Sequence, residues 1–176
     1  KATKGDAEIE LPADAAGPLA ALVFKTSADP FVGKLSYFRV MSGTMTANSE
    51  VVDSRTHDTE RVAQVFVPLG KHQENVPKLV AGDIGAVGKL AHAITGDTLT
   101  TKAEGIVLPG VDFPAPVFKV AVHPKSKADL EKLSSSLARV AEEDPSLHMV
   151  RDQSTGELVV TAMGDTHVEV MAERTK

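Results

Sequence analysis

The chain has no cysteine among its 176 residues, which excludes disulfide frameworks and thiolate metal sites and leaves thiol redox chemistry without a reagent. Long apolar runs are also missing. The longest, Leu19 to Phe24, falls far short of the roughly 20 residues a membrane-spanning helix needs, and no charged leader with an apolar stretch behind it opens the sequence. Nor is there an excess of positive charge: 19 Lys and Arg against 24 Asp and Glu leave a formal net charge of -5. Any contact with nucleic acid therefore has to come from a local basic patch. These absences point to a soluble, cytoplasmic protein with no membrane partner. What is present, 42% hydrophobic and 24% charged residues, is an ordinary globular composition, long enough for one large core or two small ones. The sequence opens on Lys1 and stops at Lys176 inside a helical pattern, which gives it the look of an excised piece.

Residues 1–18 are poor in apolar side chains and broken by Pro12, Gly17 and Pro18, so they read as a lead-in linker. From Leu19 to about residue 104, short runs rich in Val, Phe, Tyr and Thr recur between Gly and Asp turns, the spacing of a small all-β barrel. The expected strands are Leu19–Lys25, Lys34–Met41, Glu50–Asp53, Glu60–Val67 and Ile84–Leu90. Residues 105–115, with Pro109, Gly110 and Pro114, read as a second linker. Beyond it the period alternates between two and 3.6. Phe118, Val120 and Val122 share one face of a strand. Leu130, Leu133, Leu137 and Val140 form a helical stripe, with Ser126 as the expected N-cap and Asp144-Pro145 as the stop. Leu147–Asp152 and Glu157–Met163 flank a hairpin turn, and Gly164-Asp165-Thr166 opens a second helix. The order β-α-β-β-α is a ferredoxin-like α+β plan lacking its last strand, over residues 116–176.

No catalytic constellation emerges. A phosphate loop needs glycine, four residues, then Gly-Lys-Ser/Thr. At Gly33-Lys34 the flanking positions are Ala28 and Leu35, and at Gly88-Lys89 they are Asp83 and Leu90, so both fail twice. The six histidines match no metal-ligand spacing; Asp53, His57 and Asp58 cluster in a turn, where such residues are common for turn reasons. Ser54, His57 and Asp58 carry the residue types of a hydrolytic triad without its nucleophile elbow. Catalytic, cofactor-binding and metal residues are therefore all expected to be none. What remains is a set of surface cations: Lys25, Lys34, Arg39, Arg55, Arg61 and Lys71 on the barrel, and Lys119, Lys125 and Lys127 beyond it.

Particular stretches then carry a resemblance. Leu19-Ala-Ala-Leu-Val-Phe-Lys25, Asp29-Pro-Phe-Val-Gly-Lys-Leu35, Phe38-Arg-Val40, Ala81-Gly-Asp-Ile84 and Thr95-Gly-Asp-Thr-Leu99 resemble domain II of bacterial elongation factor G. His123-Pro-Lys-Ser-Lys-Ala-Asp129, Leu137-Ala-Arg-Val-Ala-Glu-Glu-Asp-Pro-Ser146 and Met163-Gly164 with His167 resemble domain III of the same family. The resemblance implies a barrel of the translation-factor domain II type followed by a ferredoxin-like domain. It further implies a parent ribosome-dependent GTPase acting in translocation, whose G domain, outside this sequence, binds GTP and magnesium. This chain would itself be non-catalytic, docking on small-subunit ribosomal RNA and ribosomal protein and coupling to the G domain. Arg61 and Lys71 match the family's basic surface and are the expected RNA contacts; Arg139 occupies the family's helix arginine and is the expected interdomain or ribosome contact.

The sequence departs from the family at Ala162-Met-Gly-Asp-Thr-His-Val168, where members usually carry Gly-Met-Gly-Glu-Leu-His-Leu. Loss of that leucine at Thr166 is expected to weaken the second helix's apolar stripe by about 1–3 kcal/mol if the position is buried. Two alternatives stand beside the main reading. One is a fragment of a paralogous ribosome-protection or release-factor-type GTPase; the other is an independent barrel-plus-α/β module binding a protein or small ligand. Without a final strand, Val117–Val122 is expected to present an edge through which the fragment self-associates.

Overall fold

The computed structural model describes residues 1–29, 32–70, 72–102, 104–124, 126 and 129–175. Lys71, Lys125 and Lys127 of the surface cations lie outside this range, as do Pro30 and Phe31 of the family-like segment and the side chain of Leu130. The chain divides into two compact units, Lys1–Val111 and Asp112–Lys176.

The first unit is all β. It comprises β1 (Ala2–Lys4), β2 (Ala7–Ile9), β3 (Ala20–Asp29), β4 (Gly33–Ser42), β5 (Thr44–Thr46), β6 (Ser49–Asp53) and β7 (Thr59–Val62). There follow β8 (Val65–Leu69), β9 (His72–Val76), β10 (Lys78–Val80), β11 (Ile84–Gly88), β12 (Thr98–Thr100) and β13 (Ile106–Val107). The main sheet runs β7-β6-β12-β3-β4-β11-β8-β9, with β5 and β10 paired separately. The connection from β7 to β8 forces this sheet to curl. Laid flat, the two strands would stand about 28 Å apart at the usual strand spacing, whereas the three Cα steps between them reach about 11 Å. Curling turns one face inward, and alternate residues fill the interior: Ala21 and Val23, Phe38 and Val40, Val51, Val62, Val65, Val87 and Leu99 are all buried.

One expected strand is two. Glu60–Val67 breaks at Ala63-Gln64, and the break shifts the alternation, so Val62 and Val65 both point inward at 0% exposure. A continuous strand would have placed them on opposite faces. The expected lead-in linker is also structured. Gly5, at φ 59°, turns β1 into β2, and β1 pairs on its other side with β13 from the expected second linker. Ala2, Ala20, Ile106 and Leu108 make a small core there, joined by Ile9, Leu11 and Leu22. The few apolar residues of the opening segment are sufficient because the barrel wall supplies the rest.

The second unit follows the β-α-β-β-α order: β14 (Phe118–Val122), α1 (Leu130–Glu143), β15 (His148–Arg151), β16 (Leu158–Ala162) and α2 (Asp165–Arg174). Its antiparallel sheet runs β14-β16-β15, the strand arrangement of a ferredoxin-like fold without its fourth strand. Leu137, Val140, Leu147, Val160, Ala162 and Met171 form the core. The N-cap of α1 is Asp129 rather than Ser126; Ser126 instead donates its hydroxyl to the Asp129 carboxylate at 2.6 Å. Between β15 and β16 the Asp152 carboxylate accepts from the Ser154 hydroxyl and from the amides of Ser154 and Thr155, which lowers its pKa to about 2. Thr166 is exposed, so the expected loss of apolar contact on α2 does not arise there.

Candidate functional site

Arg61 owes its orientation to the residue before it. Glu60 is 4% exposed, and its carboxylate accepts the backbone N–H groups of Ala91 at 2.9 Å, His92 at 2.6 Å and Ala93 at 3.0 Å. With Glu60 facing in, the two-residue period of β7 turns Arg61 out. It stands opposite Glu50 in the β6–β7 ladder, exposed, and has no ion pair among the described residues. A one-residue slip would bury the guanidinium and break all three amide contacts, so the register is strongly set.

Arg55, in the turn after β6, has a different task. Its guanidinium donates to both oxygens of Asp97, at 2.8 and 2.9 Å, and to the His92 carbonyl at 3.0 Å. The bidentate contact keeps the guanidinium protonated even more firmly than usual. Arg55 is exposed, as expected of a surface cation, but it ties the turn after β6 to the segment before β12, and its charge is already matched by Asp97. Asp53, 0% exposed, caps the same turn by accepting from the amides of Arg55 and Thr56. Its other oxygen is buried without a hydrogen bond. Burial, with the Asp97 carboxylate close by, pushes the Asp53 pKa up.

The turn residues considered for metal or hydrolytic chemistry share one turn through their backbones, the His57 N–H donating to the Asp53 carbonyl and the Asp53 N–H to the Asp58 carbonyl, but their side chains differ in exposure. Asp53 faces the interior while His57 and Asp58 are exposed, and Asp58 lies 3.8 Å from His92. His57 has φ 62°, a left-handed turn position. No group of three or more His, Asp or Glu side chains suited to a metal ion occurs among the described residues.

In the second unit Arg139 is exposed on α1, between buried Leu137 and Val140. The family-like Met163 to His167 segment forms a link between the helices. The His167 Nδ1 accepts the Met163 N–H at 3.2 Å, which leaves Nε2 to donate to Asp144 Oδ2 at 2.9 Å. Asp144 closes α1, and its Oδ1 takes the Ser146 hydroxyl and amide. Burial works to raise the Asp144 pKa, but the two Ser146 donors and His167 together hold it below the usual carboxylate range. Arg174, at the other end of α2, pairs with Glu143 of α1, a second tie from α2 to the C-terminal end of α1.

Two sets of residues were missed by sequence reasoning. A glutamate two positions before an inward valine, Glu60 before Val62, is the signal of a buried carboxylate seeking donors. The Arg55–Asp97 pair, far apart in sequence, had no local signal.

Comparison with known proteins agrees with this geometry. Residues 18–102 match the family model described as Elongation factor G domain 2, and residues 113–176 match that described as Elongation Factor G, domain III. A crystal structure of a protein from Thermus thermophilus superposes with a TM-score of 0.76 at 32% sequence identity, over 90% of this chain and 24% of that one. The chain thus spans about a quarter of that protein's length. Two successive domain matches in one order, on a barrel and a ferredoxin-like unit of the expected strand arrangement, place the chain in the elongation factor G family, as its domain II followed by its domain III.

Proposed function

We propose that this chain is the ribosome-docking and coupling portion of a cytoplasmic, ribosome-dependent translational GTPase that acts in elongation, at translocation. In this reading the barrel docks on small-subunit ribosomal RNA and ribosomal protein, and the second unit passes conformational change to the G domain of the same parent. GTP and magnesium belong to that G domain, and this chain performs no chemical step. The observation that carries the reading is Arg61: a guanidinium held outward by a buried neighbour, with no ion pair among the described residues. Such a group is available to a phosphate, as Arg55 is not. Arg139 is the proposed contact on the second unit, and Lys71 remains a proposed RNA contact from sequence.

The test is co-sedimentation of the chain with purified small ribosomal subunits. Saturable binding is expected, with Arg61→Glu weakening it about tenfold, the scale of one lost charge-assisted contact made repulsive. Failure of the unaltered chain to pellet with subunits at low salt would overturn the reading.

A further inference from the structure

The barrel's outer surface also carries a polar cleft. A cavity of about 520 Å³ is lined by Asn48, Gln64, Phe66, Gln73, Asn75 and Lys89, among others. Its volume lies within the usual range for small-molecule sites. Phe66 sits opposite Asn75 in the β8–β9 ladder and Pro68 opposite Gln73, so the period of two sets Gln73 and Asn75 on one face of β9. Gln64 comes from the break between β7 and β8. Asn48 is tied to that break by its backbone N–H, which donates to the Ala63 carbonyl at 3.2 Å.

Four features give the cleft its character. The amide side chains of Asn48, Gln64, Gln73 and Asn75 make no hydrogen bond among the described residues, so each presents a donor and an acceptor. Lys89 is the one charged group among the lining residues. Asn48 and Lys89 both adopt left-handed backbone, at φ 57° and 64°, a conformation uncommon for residues other than glycine. Phe66, 4% exposed, gives the cleft an apolar wall.

Paired amides match the edge of a nucleobase, adenine best, and a lysine matches phosphate. We propose that this cleft receives one unpaired nucleotide of RNA, its base on the amides and its phosphate on Lys89. The proposal rests on the RNA-docking reading and specifies a feature of the RNA: a base free of its helix, as in a bulge or loop.

The test uses the 176-residue chain and two labelled RNA hairpins with one stem sequence, one fully paired and one carrying a single bulged adenosine. Fluorescence anisotropy at physiological salt is expected to give about tenfold tighter binding to the bulged hairpin, the scale of one bidentate base contact. The Gln64→Ala/Asn75→Ala double variant should bind both hairpins as the unaltered chain binds the paired one. Lys89→Met should weaken the bulged complex and flatten its salt dependence. Thermal midpoints matching the unaltered chain identify variants that have kept the fold. Equal affinity for the two hairpins, or a bulge preference surviving in the folded double variant, would overturn the proposal. So would adenosine 5′-monophosphate binding as tightly as the bulged RNA. If both hairpins bind equally but Arg61→Glu still weakens subunit binding, the cleft fails and the docking reading stands. If neither RNA nor subunits bind, both fall.

Discussion

Glu60 and Asp53 are both buried carboxylates that accept backbone amides, and each invites its own test. Glu60 satisfies three backbone amides, and removing an acceptor from buried donors costs about 1–3 kcal/mol each where water cannot replace it. Thermal denaturation is therefore expected to show Glu60→Ala destabilised by several kcal/mol and Glu60→Gln, which keeps one acceptor oxygen, by less. Equal midpoints for the two variants would contradict the role given to the carboxylate. Asp53 has a raised pKa, so its folded form holds a proton more tightly than its unfolded form. Its stabilising contribution is present below the ordinary carboxylate range and is lost as pH rises through the raised value. Asp53→Asn keeps an acceptor for the Arg55 and Thr56 amides and removes this titration. The midpoint of the variant relative to the parent is expected to rise as pH climbs above the ordinary carboxylate range; a difference that does not change with pH would refute it.

Among the elements, the edge of β14 invites a direct test. β14 pairs with β16 on one side and has no strand on the other among the described residues, and Val117 beside it is 80% exposed. Unpaired backbone of this kind templates further strands. Sedimentation velocity over a concentration series is expected to reveal a weak dimer of the isolated chain, suppressed by Val120→Pro if the variant remains folded. A strictly monomeric chain at high concentration would remove this expectation. The sequence made such elements legible where one period dominated. The Leu133, Leu137 and Val140 stripe marked α1, and the Gly164 position marked the start of α2. It failed where pairing partners were remote. Nothing local to Ala2 or Ile9 reveals that Ile106 and Leu108 complete their core, and the Ala63-Gln64 break lies inside an unbroken β-like pattern. The candidate site was legible only in part: Arg61 stood out through the resemblance, while the Glu60 anchor and the Arg55–Asp97 tie depend on loops that the chain brings together from a distance.

For the molecule as a whole, the net charge of -5 sets the terms of any encounter with RNA. On the proposed reading, affinity comes from a few cations such as Arg61 and Lys89 working at short range. A plot of log affinity for small subunits against log salt is expected to have a slope of about -2 to -4, as a small number of phosphate contacts gives. A slope near zero would exclude phosphate as the partner. The pairing of β1 with β13 bears on a different property. Thr3 faces Val107 and Lys4 faces Ile106, with Lys4 also bonded to Glu104, so the strands that lead into and out of the barrel are clasped side by side. Tension applied at the two ends of this unit would load the clasp first. The barrel would be carried by the chain as a pendant, keeping its shape until those few bonds gave way.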